Sequence, residues 1–84
     1  MRGRDYGRET EKEAIWSKWA ERLVSLPGFP LWKADRVGGL LVDAFPIIPP
    51  WESKDEVRLQ LEMRARARAS LREIIEERFG IILP

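Results

Sequence analysis

Residues Ser53 to Phe79 contain neither Gly nor Pro, and nearly all of them are strong helix formers. Their apolar members nonetheless alternate from Val57 to Leu71, a period of two that belongs to strands. Between Arg58 and Glu73 only Leu, Met, Ala, Arg, Glu, Gln and one Ser occur. The β-branched and aromatic residues that favour a pleated strand are missing. Composition therefore overrides alternation, and residues 53–79 read as one helix. At the α-helical rise it spans about 40 Å. Ser53-Lys54-Asp55-Glu56 has the capping-box spacing, its acids suit the positive end of the helix dipole, and Gly80 is a natural stop.

On that helix Val57, Leu61, Met63, Ala67, Leu71, Ile74, Ile75 and Phe79 fill one broad side, and Arg64 and Arg68 project from its middle. Arg72 continues their row one turn on. Arginine inside an apolar stripe is costly unless its guanidinium meets an acceptor. One reading has these side chains reach from the edge of the core and pair with Asp35, Asp43 or Glu62. The other makes Arg64, Arg68 and Arg72 a binding face for phosphate or for a partner's carboxylates, which the planar arginine fork suits. The run Arg64-Ala65-Arg66-Ala67-Arg68 points toward nucleic acid, although Glu62, Glu73, Glu76 and Glu77 dilute its charge.

The remaining segments are shorter. Residues 1–9 carry Arg2, Arg4 and Arg8 with Tyr6 and two glycines. They read as a flexible basic arm able to follow a phosphate backbone. Thr10-Glu11-Lys12-Glu13 repeats the capping-box spacing, so a helix is expected over 10–26, with Ile15, Trp16, Trp19, Leu23 and Leu26 on one arc. Pro27-Gly28 ends it. Residues 27–32 form a stiff apolar turn. In the segment that follows, Val37, Leu40, Leu41, Ala44 and Phe45 keep the helical i, i+3, i+4, i+7, i+8 spacing, which favours a helix over 34–45. The alternative is a hairpin at 32–45 turning at Gly38-Gly39, which leaves neither face cleanly apolar. As helix residues the two glycines cost about 1 kcal/mol each, which close approach of another backbone would justify. Pro46, Pro49 and Pro50 make the next connection rigid and extended.

A chain of 84 residues supports one modest core, and one this short often needs a staple or a partner. It has no Cys and no His, so disulfides, thiolate metal sites and Ser-His or Cys-His catalysis are excluded. Neither a cofactor nor a metal is expected. Asp43 with Glu52-Ser53-Lys54 mimics the paired carboxylates and lysine of metal-dependent nucleases. Those lie on a strand, however, whereas this run opens a helix. Net charge is +1 although 35% of residues are charged, so any basic surface arises by segregation. Asn is absent, Gln and Thr occur once each, and Arg outnumbers Lys, a composition suited to a thermophilic source. No stretch is long and apolar enough to span a membrane, and the first residues lack the apolar core of a signal peptide, which points to the cytoplasm or a virion assembled there.

The expected fold is therefore all-α, a three-helix domain over residues 10–84 with a long C-terminal helix; the hairpin would make it α+β. The expected function is non-enzymatic, an interaction or assembly module that self-associates or serves as a small subunit. Trp32, Trp51, Phe79 and Ile81 are its candidate interface anchors. The alternative is a small nucleic-acid-binding or regulatory protein using Arg64, Arg68, Arg72 and the arm.

Overall fold

In a computed structural model, which describes the backbone of residues 2–84 and the side chains of residues 8–84, the chain forms three α-helices. They are α1 (Arg2–Val24), α2 (Leu31–Ala44) and α3 (Lys54–Phe79). No strand occurs among the described residues, so the hairpin at 32–45 is ruled out and the fold is all-α.

The long helix matches its expected limits because its ends are chemically marked. The Ser53 hydroxyl accepts the Glu56 amide at 3.2 Å, and Asp55 and Glu56 occupy the first turn. Gly80 takes the left-handed conformation, φ 65°, and returns its amide to the Glu76 carbonyl at 2.8 Å. An L-residue pays a steric penalty for that φ, and glycine does not.

The other two helices start earlier than their sequence signals indicated. α1 begins at Arg2, so Thr10 lies inside it and is not its N-cap. Arg2, Arg4 and Tyr6 have side chains outside the described set. α2 begins at Leu31 and takes in Trp32, which had been assigned to the preceding turn. Pro30 explains the early start. Its ring fixes φ near the value a helix entry needs, and its carbonyl accepts the amides of Lys33 and Ala34.

All three helices and the tail contribute to one core. Trp16, Ala20 and Leu23 come from α1, Val37 and Ala44 from α2, Ala67, Leu71 and Ile75 from α3, and Leu83 from the tail. Trp16 is fully buried and meets Phe45 edge-on, with ring centroids 5.6 Å apart. Trp19 packs on Phe79 at 5.1 Å. Arg68 lies beside Ala44 and Ile74 beside Val37, so α2 runs antiparallel to α3. Arg68 meets Glu9 and Phe79 meets Trp19, so α1 runs in the same sense as α3.

The apolar stripe of α3 is buried only over its second half. Leu61 and Met63, on the apolar side of the long helix, are 39% and 42% exposed, and Leu59 is 51% exposed. α2 ends at Ala44, level with Arg68, and so does not reach the start of α3. Gly38 and Gly39 are exposed, and a methyl group added at either would meet nothing within 4 Å. Close backbone approach within the domain is therefore not why they are glycines.

Candidate functional site

The arginine row lies at the junction of all three helices. Arg68 is its centre, with a side chain only 15% exposed. Its Nε donates to the Ala44 carbonyl at 2.8 Å, and its Nη2 donates to Glu9 Oε1 at 2.6 Å. Its guanidinium carbon lies 4.4 Å from the Phe45 ring centroid, so the flat cation also stacks on an aromatic face. The expected partners Asp35, Asp43 and Glu62 are not the ones used. The acceptors are Glu9, which had been placed in the arm, and an orphan carbonyl at the end of α2. The hydrogen bond from Arg68 holds the Glu9 carboxyl below its ordinary value, against the smaller opposing effect of burial.

Arg72 faces the tail. Its Nη2 donates to the backbone oxygen of Pro84 at 3.3 Å, its Nε lies 3.6 Å from Glu76, and its guanidinium sits over Trp16. Glu76 also accepts the Leu83 amide at 2.7 Å, and Trp16 Nε1 donates to the Pro84 oxygen at 3.1 Å. The tail is thus tied down by three side chains. Arg64 is half-buried and lines a groove of about 350 Å³ with Glu9, Glu13, Phe45, Ile47 and Arg68. Two carboxylates offset the two guanidinium groups there, which makes the groove a poor anion site. Arg8 is exposed. Arg2 and Arg4 lie outside the described side chains.

The four candidate anchors divide. Trp32 is 66% exposed and Trp51 82% exposed. Phe79 and Ile81 instead pack against the domain's own core. The exposed apolar residues that sequence reasoning missed are Leu31, Val42 and Ile47, at 80%, 70% and 93%, and Ile15, expected on the packed arc of α1, is 41% exposed. Ile47 lies in the proline-rich connection, where stiffness prevents it from folding back.

Glu52 and Lys54 flank the cap of α3 and do not lie on a strand, and among the described residues no group of acidic side chains gathers as metal ligands do. Among the described residues no helix is long and apolar enough to cross a membrane. Comparison with protein-family models, curated proteins and solved structures finds no match.

Proposed function

We propose that this chain is a non-enzymatic assembly module, which either self-associates or docks as a small subunit on a larger complex. The observation that carries the reading is the apolar surface left uncovered. Trp32, Val42, Ile47, Trp51 and Leu59 are each more than half exposed, and Met63 lines the same groove as Leu59 one turn further along α3. Large side chains in such number on one small domain mark an interaction surface, and tryptophan is the residue type most enriched at interface hot spots.

Nucleic acid is the competing partner. It is less favoured because Arg68 and Arg72 are committed to acceptors of their own chain. Sedimentation of the protein alone, then with single-stranded and duplex oligonucleotides at two salt concentrations, separates the readings. The assembly reading expects a mass above the 9.8 kDa of one chain without nucleic acid, or capture of a protein partner. Oligonucleotide binding that falls steeply with salt, with no self-association, would replace it by the nucleic-acid reading.

A further inference from the structure

The outward face of α2 carries Trp32, Arg36, Gly39 and Asp43 at i, i+4, i+7 and i+11, a row on one side of a helix. All four residues are exposed. Two separate grooves between α2 and α3 lie at the two ends of this row, and their linings carry opposite charge. At one end Trp32, Lys33 and Arg36 surround an apolar floor of Phe29, Val37 and Ile74, with no acidic residue in the lining. At the other, Asp43 and Glu56 stand beside Leu59 and Met63, with no basic residue in the lining. Arg36 and Asp43 make no ion pair within the described chain.

We propose that this face is the contact between two copies of the chain, related by a two-fold axis with their α2 helices antiparallel. The inference rests on the assembly reading and says which surface and which partner serve it. Charge sets the orientation, because a parallel arrangement sets Arg36 against its own copy. In the antiparallel one, an axis passing between Gly39 and Leu40 sets Arg36 opposite the partner's Asp43, twice over. Gly39 falls at the centre, where a missing side chain lets two helices approach closely. A two-fold contact of this kind is self-complementary and closes at two copies.

Charge exchange tests it. The variants Arg36→Glu, Asp43→Arg and the double variant carrying both are compared with the unaltered protein by equilibrium sedimentation, with circular dichroism confirming that each is folded. The expected result is a mass about twice that of one chain for the unaltered protein. Each single variant, which sets like charges together at two places, weakens association by at least about tenfold. The double variant restores it. A dimer indifferent to both single variants overturns this interface while leaving the assembly reading intact. A protein that stays at one-chain mass at about 0.5 mM overturns self-association itself, and docking on a different protein then becomes the form of assembly to test.

Discussion

Arg68 and Ala44 are joined by a hydrogen bond that neither helix could make alone. The backbone carbonyl at the end of α2 has no partner further along its own helix, and the guanidinium of α3 fills that need at 2.8 Å. The same guanidinium holds Glu9 of α1. Arg68→Ala is therefore expected to cost about 1–3 kcal/mol of stability, since it leaves a half-buried carbonyl and a carboxylate without their donor. Arg68→Lys should recover only part of the loss, because an ammonium cannot reproduce the two-pronged geometry. Urea unfolding of the two variants checks both statements. A loss below about 0.3 kcal/mol for Arg68→Ala would mean that the junction contributes nothing.

The Glu9 contact predicts a pH dependence. Glu9 has a lower pKa in the folded protein than in the unfolded chain, so the ionised form favours folding. Its contribution is present above the ordinary carboxyl value of 4.5 and fades as pH falls through the lower folded value. Glu9→Gln should flatten the acid limb of the stability curve below about pH 4.5 and cost less than about 1 kcal/mol at pH 7, because the carboxylate is nearly half exposed. Thermal melts from pH 2 to 7 read the difference directly.

Gly38 and Gly39 lie inside α2 with open space where a side chain would stand. Replacing either by Ala should stabilise the folded chain by about 0.5–1 kcal/mol, through helix propensity and a less flexible unfolded state. The two should then part company: Gly39→Ala is expected to weaken self-association and Gly38→Ala to leave it nearly unchanged. Chemical denaturation gives the first result and sedimentation the second. A destabilised Gly38→Ala would point to strain in α2 that its backbone does not show.

The ends of α3 can be tested separately from its packing. Ser53→Ala removes the acceptor of the Glu56 amide and should cost about 1 kcal/mol. Gly80→Ala forces a side chain into the left-handed region and should cost about 1–2 kcal/mol. The added methyl group meets no neighbour, so backbone conformation alone accounts for that loss.

The sequence was informative where local chemistry decides structure. The composition of residues 58–73 outweighed a misleading alternation, and Ser53 and Gly80 marked the ends of α3. The spacing of Val37, Leu40, Leu41, Ala44 and Phe45 identified the packed side of α2. Thr10 misled because a capping-box pattern is also compatible with a helix interior when the preceding residues continue the helix. Misplacing that boundary concealed Glu9, which seemed to belong to an arm. Glu76 could have been found, since it stands one turn beyond Arg72. The Ala44 carbonyl could not, because every residue carries one and only tertiary geometry selects among them. Met63 and Leu61 fit the apolar arc but stay exposed, because α2 ends level with Arg68.

Trp16 has a further consequence for how the protein comes into being. Its indole is met by the Phe45 ring and the Arg72 guanidinium and donates to the backbone oxygen of Pro84, so residues far along the chain complete its surroundings. During synthesis α1 emerges before any of them. Residues 25–30 join α1 to α2, so Trp16 can meet Phe45 early, but its surroundings stay incomplete until Pro84 arrives. A side chain laid down at position 16 is therefore sealed only by an oxygen at position 84, which ties the burial of the core's largest residue to completion of the whole domain.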